Sequence, residues 1–138
     1  MPPKFHHEKL QVYQASIQFV GWVGDRLDKV PKSMSAHSQL DRASTSIALN
    51  IAEGNGKTSI ADRCRYFDTA HGSALECAAC LDVLVSRKVL TDVQIQPGKE
   101  LLFGIVSMLV GLIRSNDPTR FAEDVVEYKV GNVDSSPS

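Results

Sequence analysis

The chain shows no convincing strand alternation, no Glu-x-x-His pair, no phosphate-binding loop and no strong charge of either sign. Each absence removes a class of function. Without period-two alternation the fold is all-α. Without Glu-x-x-His the di-iron carboxylate chemistry common to helical bundles has no ligand set. A net charge of −1 is far from the basic excess of a dedicated nucleic-acid binder. Its distribution is uneven: residues 1–114 carry 13 Lys/Arg against 11 Asp/Glu, and residues 115–138 carry 2 against 5. The longest apolar stretch, Leu101 to Ile113, is broken by Gly104, Ser107 and Gly111, too short for a bilayer that takes about 20 residues. The opening MPPKFHHEKL lacks the apolar core of a secretory signal, and three cysteines, an odd number, predict reduced thiols in a cytoplasm.

What is present is helical periodicity. With 138 residues, 43% of them apolar, the chain makes one domain with a real core and needs no disulfide or metal. The spacing predicts helices over about 8–29, 36–53, 59–87 and 92–115, the last firm only from residue 98 because Pro97-Gly98 interrupts it. Helix 1 has a seam of Leu10, Tyr13, Ile17, Val20, Gly24 and Leu27, spaced alternately by three and four. Val30-Pro31 ends it. Ser33 or Ser35 can cap helix 2, and Gly54-Asn55-Gly56 supplies its left-handed stop. Ser59 with Asp62 opens helix 3, whose apolar face is Ile60, Phe67, Ala74, Ala78, Leu81 and Val85. Thr91 or Asp92 can cap helix 4, and Asn116-Asp117-Pro118 ends it. The pattern is an antiparallel up-down four-helix bundle over residues 1–116. Residues 117–138 read as a mostly disordered acidic tail with one short turn from about Arg120 to Val126.

Helices 1 and 4 carry more apolar surface than a bundle helix buries. Val12, Phe19, Trp22 and Val23 lie away from the helix 1 seam. Helix 4 has two stripes, Leu101, Ile105, Met108, Leu112 and Leu102, Val106, Leu109, Ile113, with Phe103 and Val110 further round. Either the acidic tail folds back over this surface or the chain self-associates, and self-association accounts for more of it. Val12, Phe19, Trp22, Val23, Leu102, Phe103, Val106, Val110 and Ile113 are the expected oligomer interface.

Few side chains read as chemistry. Cys77-Ala78-Ala79-Cys80 sits mid-helix among alanines, where a redox pair would sit at a helix N-terminus after a strand. Cys64 and His71 lie too far along the axis to complete zinc ligation with both thiols. Glu53 and Glu76 are the only candidate inward carboxylates, and His6, His7, His37 and His71 lack metal-binding register, so no metal and no cofactor is expected. His6-His7 reads as an exposed frayed end, His71 as a hydrogen-bonded core or interface histidine. Gly54-Asn55-Gly56-Lys57 lacks the strand and first glycine of a P-loop.

The polar stripe of helix 2 remains. At about 100° per residue, Leu40, Ile47, Ile51 and Gly54 fall on one line, and Arg42, Ser46, Asn50 and Glu53 on a second beside it. Helix 3 offers Gly72 for a close approach, then Ser73 and Glu76 one turn apart. An Arg42–Glu76 pair, with Asn50 and Ser73 satisfying the remaining groups, makes an interhelical lock. The alternative is a small-molecule-binding or catalytic bundle using Arg42, Glu53 and Glu76, or a partner surface using Arg42 and Lys57 as anion contacts.

At these residues the chain resembles the four-helix bundle proteins of the 23S rRNA intervening-sequence type. The carriers are Gln39-Leu40-Asp41-Arg42-Ala43, Ser46-Ile47, Asn50-Ile51-Ala52-Glu53-Gly54 and Ala70-His71-Gly72-Ser73-Ala74-Leu75-Glu76, with Lys9-Leu10-Gln11-Val12-Tyr13 and Pro31 upstream. The likeness spans roughly residues 8–114. It departs where Ser33 to Ser38 replaces an acidic residue before helix 2, and where Asn55-Gly56-Lys57 stands in place of an aromatic and an arginine. The resemblance implies a small bacterial cytosolic bundle of poorly defined function, and with it the chain reads first as a non-enzymatic scaffold or nucleic-acid-associated accessory. A related group accompanies the reverse transcriptase of diversity-generating retroelements as a pentameric basic barrel. It therefore implies a homo-oligomer, a pentamer, with a partner protein such as a reverse transcriptase and weak contact to RNA or DNA through Arg42, Lys57, Arg63 and Arg65.

Overall fold

Capping side chains start two of the helices where the sequence places them. In the computed structural model, which describes residues 2–120, a 3-10 turn at His6–Lys9 is followed by α1 (Gln11–Leu27), α2 (Ser35–Asn55), α3 (Ile60–Ser86) and α4 (Asp92–Asn116). Ser59 Oγ accepts the Asp62 N–H at 3.1 Å. Thr91 Oγ1 accepts the Gln94 N–H at 3.1 Å while Gln94 Oε1 accepts the Thr91 N–H at 2.9 Å, a full capping box. The tail and turn expected from residue 121 onward lie outside the described residues.

Other boundaries differ from expectation. Extended backbone at Leu10 (φ −78°, ψ 130°) separates the 3-10 turn from α1, where one continuous helix was expected. Met34 stands at the α2 N-cap with no side-chain bond, so neither Ser33 nor Ser35 caps that helix. Gly54 lies inside α2, and its C-cap Gly56 is right-handed at φ −85°. The only residue with positive φ among the described non-glycines is Lys88 (φ 62°). It closes α3 as the left-handed residue of a C-terminal motif, with Val89 N–H donating to Leu84 O and Lys88 N–H to Val85 O, both at 2.9 Å.

α4 is helical from Asp92 onward with Pro97 inside it. The proline forfeits one backbone bond, to the carbonyl of Val93, near the helix start and at a position whose side chain is 84% exposed. Counted whole, this 25-residue helix is long and apolar enough to cross a bilayer by length and composition, which the shorter run from Leu101 did not convey. In the fold it packs between α1 and α3.

Each helix packs closely on the next in sequence, and α4 returns to α1, while among the described residues the diagonal helix backbones stay further apart. The contacts Arg42–Glu76, Ser46–Ser73 and Gly54–Phe67 descend along α3 as they climb α2, so that pair is antiparallel. Lys99–Asp82 and Arg63–Asn116 show the same for α3 and α4. The fold is therefore an antiparallel up-down four-helix bundle. Its centre is Phe19, Leu40, Ile47, Ile51, Phe67, Leu81, Leu84, Ile105, Leu109 and Ile113, all fully buried.

The α1 face turned inward is the one assigned to an oligomer interface. Val12, Phe19 and Val23 are buried, while Ile17 of the expected seam is 46% exposed and Gly24 is exposed. Ser16, also fully buried, sits in the middle of the true seam. Its hydroxyl donates to the Tyr13 carbonyl at 2.6 Å, which offsets the cost of burying it. On α4 the core line is Ile95, Gly98, Leu102, Ile105, Leu109 and Ile113. Leu102 and Ile113 are thus core residues as well. Trp22 lies over Gly98, where any Cβ would overlap its indole ring. Of the nine expected interface residues Phe103, Val106 and Val110 keep exposure on α4, Phe103 at 77%, and Trp22 is half-buried against Gly98. On α3, Ile60 is exposed and not part of the core face.

Candidate functional site

The polar row of α2 is a surface lock with α3. Arg42 Nη2 meets Glu76 Oε2 at 2.9 Å, with the two side chains 66% and 38% exposed. One turn on, the Ser46 and Ser73 hydroxyls are 2.9 Å apart. Asn50 Nδ2 donates to Ser46 O at 2.8 Å and to Ser46 Oγ at 2.9 Å, so it satisfies its own helix and not Ser73. Gly72 is exposed with no atom within 4 Å of a built Cβ, so it mediates no close approach. An ion pair this exposed contributes at most about 1 kcal/mol. The row fixes the α2–α3 register more than it adds stability.

Glu53 does not join the pair. It is exposed, its carboxylate makes no hydrogen bond among the described residues, and it lies about 16 Å along α2 from Arg42. Arg42, Glu53 and Glu76 therefore form no enclosed cluster. The surface clefts have other linings; an apolar one of about 230 Å³ lies between α3 and α4, edged by Leu75, Val106 and Phe103.

The four expected basic contacts fall into three situations. Arg42 is held by Glu76. Arg63 is spent inside the fold: its Nε donates to Asn116 Oδ1 at 2.8 Å, and its Nη1 to the carbonyls of Asn55 at 2.9 Å and Lys57 at 3.1 Å. It ties the end of α2, the start of α3 and the end of α4 together, and is half-buried over Phe67. Lys57 and Arg65 both approach the Tyr66 ring, at 5.2 and 5.3 Å from its centre, and Arg65 also pairs loosely with Asp62 at 3.3 Å. Tyr66 was missed in the sequence, although an aromatic next to an arginine, just past a lysine-bearing turn, was the available signal. The Gly-Asn-Gly-Lys segment is a helix-to-helix turn, closed by Gly56 N–H to Glu53 O at 3.1 Å.

The expected frayed end at His6-His7 is ordered. His6 Nδ1 lies 2.9 Å from Asn55 Nδ2, and His7 stacks on Phe5 and meets the Tyr13 ring edge-on at 4.7 Å. His71 is half-buried on α3.

Cys64, Cys77 and Cys80 are free and buried. Among the described residues no three His, Cys, Asp or Glu side chains gather as a metal set. Burial first, and then the neighbouring Cys80 and Glu76, push the Cys77 thiol up from 9.0 to about 12. It stays protonated at neutral pH and offers neither a thiolate nucleophile nor a thiolate ligand. The unfolded thiol titrates near 9 and the folded one near 12, so the native state keeps its proton longer. The resulting stability is complete below pH 9 and is lost as pH rises towards 12. Denaturant midpoints measured from pH 8 to 11 are expected to fall for the wild type and to fall less for Cys77→Ala; equal slopes would refute the assignment.

Comparison with known proteins places this geometry. The profile of the 23S rRNA-intervening sequence proteins matches residues 8–111. A crystal structure of a protein of unknown function from the S23 ribosomal protein family of Bacteroides thetaiotaomicron superposes with a TM-score of 0.70 at 24% identity, over 75% of this chain and 98% of that one. That likeness is one of fold. No curated protein matches the chain.

Proposed function

The chain belongs to the 23S rRNA-intervening sequence protein family, and from that premise we propose that it is a non-enzymatic cytoplasmic bundle that assembles with copies of itself into a scaffold associated with nucleic acid. One observation carries the assembly: Phe103, 77% exposed, stands on α4 at the lip of the apolar α3–α4 cleft, beside Leu75 at 52%. A monomer leaves such a patch in water at a cost that a second copy removes. Five copies is the number the family resemblance implies. Arg42, Lys57 and Arg65 remain on the outside and supply weak phosphate contacts, whereas Arg63 is committed to the fold.

The test is mass in solution across a concentration series, by light scattering or sedimentation velocity. The wild type is expected to be oligomeric. Phe103→Asp is expected to weaken assembly about thirtyfold, the effect of losing one interface anchor, with unchanged helicity. A wild type that is monomeric at every concentration, or a Phe103→Asp variant of unaltered mass, overturns the reading.

A further inference from the structure

One end of the bundle collects aromatic rings and cations that the α2–α3 lock does not use, with Tyr13 alone of the Phe5, His7 and Tyr13 rings packed against the core. Phe5, 75% exposed, stacks on His7 with ring centres 5.9 Å apart and planes 10° from parallel. His7 in turn meets Tyr13 edge-on, which fixes the orientation of the outer ring. Asn55 joins this ladder to the rest of the end. Its side chain holds His6, and its carbonyl accepts from Arg63 at the start of α3. On the other side of Asn55, Tyr66 packs at Gly54 with Lys57 and Arg65 around its ring. The Phe5–His7–Tyr13 ladder and the Tyr66 ring therefore both attach to the C-terminal end of α2, the first through Asn55 and the second at Gly54, and together form a strip.

Its charge is favourable. Lys4, Lys9 and Arg65 are exposed and Lys57 half-exposed along it. The acidic groups facing them are Glu8, Glu53 and Asp62. The Glu8 carboxylate accepts the Phe5 N–H at 2.6 Å and keeps its charge, Asp62 pairs with Arg65, and four cations stand against three carboxylates. The Asp62–Arg65 pair is long and solvent-exposed, so a phosphate can displace it at little cost. An exposed ring at Phe5 and a half-buried one at Tyr66, the latter flanked by Lys57 and Arg65, suit one ligand class, since every base has a stackable face and every nucleotide a phosphate. Duplex ends and grooves do not offer bases in this way.

We propose that this strip is a stacking platform for single-stranded nucleic acid, with unpaired bases on Phe5 and Tyr66 and their phosphates on Lys4, Lys9, Lys57 and Arg65. The inference rests on the nucleic-acid association proposed above and names its ligand class. The test is fluorescence anisotropy of the full chain with a labelled 20-nucleotide oligo-uridine and with a duplex of equal length, at 50 and 200 mM salt. The single strand is expected to bind more tightly than the duplex. Four phosphate contacts predict about a fiftyfold loss between the two salt concentrations, from a slope of roughly 0.7 per contact. Phe5→Ala and Tyr66→Leu are each expected to weaken binding about tenfold, and Tyr66→Phe to leave it unchanged. Lys32→Ala, at the opposite end, is the control. Phe5 is exposed and Tyr66→Leu keeps apolar bulk; circular dichroism and solution mass confirm that fold and assembly are intact. Binding that prefers the duplex, or that ignores both ring substitutions while keeping its salt dependence, overturns the platform but leaves nucleic-acid association standing. No binding to either probe at 50 mM salt overturns both, while solution mass judges assembly separately.

Discussion

Phe19→Ala is expected to destabilise the fold by about 3–5 kcal/mol, while Ile17→Ala, two residues away, is expected to change stability by less than about 1 kcal/mol. Phe19 is fully buried at the meeting of α1 with the core, and its ring lies 5.8 Å from that of Trp22. Removing it leaves a cavity bounded by helices that cannot collapse without breaking their own backbone bonds. Ile17 is 46% exposed on the opposite side of α1. Urea denaturation at low protein concentration, where self-assembly adds nothing, checks both. Equal losses at the two positions would mean that α1 is rotated from the arrangement described here.

That rotation is what the sequence could not decide. Leu10, Tyr13, Ile17, Val20, Gly24 and Leu27 keep bundle spacing without a break, and so do Val12, Ser16, Phe19 and Val23 once Ser16 is admitted. Periodicity reports that a helix has an apolar face; with two such faces, neighbours choose between them. Here the choice follows from Gly98 on α4, which gives the Trp22 ring a place to lie flat, and from the Ser16 back-bond. The first is not visible without the partner helix, and the second shows only once the Ser16 rotamer is known. The ends of the helices were more legible because they depend on local chemistry. Ser59 with Asp62, Thr91 with Gln94, and Asn116-Asp117-Pro118 act within a turn of the boundary they set.

The same division holds for the candidate site. Arg42 and Glu76 could be paired from sequence because opposite charges at matching heights on adjacent antiparallel helices have few alternatives. Arg63 could not be removed from the list of surface cations, because its partners are two backbone carbonyls and Asn116, groups that leave no trace in a charge pattern. Tyr66 was overlooked for a related reason. Its relation to Lys57 exists only after the turn at Gly56 brings that residue back along α3. The acidic tail, weighed as a cover for the excess apolar surface, falls beyond the described residues, so Phe103 and Leu75 stand uncovered among the described ones.

Two glycines inside helices make the sharpest contrast the fold offers. Gly72→Ala is expected to stabilise by about 1 kcal/mol, and Gly54→Ala to destabilise by about 2 kcal/mol, although helix propensity favours alanine at both. At Gly72 a new Cβ meets nothing within 4 Å, so only the reduced backbone freedom of the unfolded chain changes. At Gly54 it would lie 2.7 Å from Phe67 Cε1, 2.9 Å from Phe67 Cδ1 and 2.9 Å from Tyr66 Cβ. The Phe67 ring is fully buried and has nowhere to turn, and a Cβ on α3 moves only with its backbone. The two helices must therefore separate by several tenths of an ångström, which loosens the most extensive helix pairing in the molecule. That separation also pulls on the Arg63 clamp, whose acceptors Asn55 O and Lys57 O lie one and three residues past Gly54. Thermal denaturation reads the contrast as a gap of roughly 10 °C between the two variants at this chain length. A stabilised Gly54→Ala would show that α2 and α3 do not meet at this glycine.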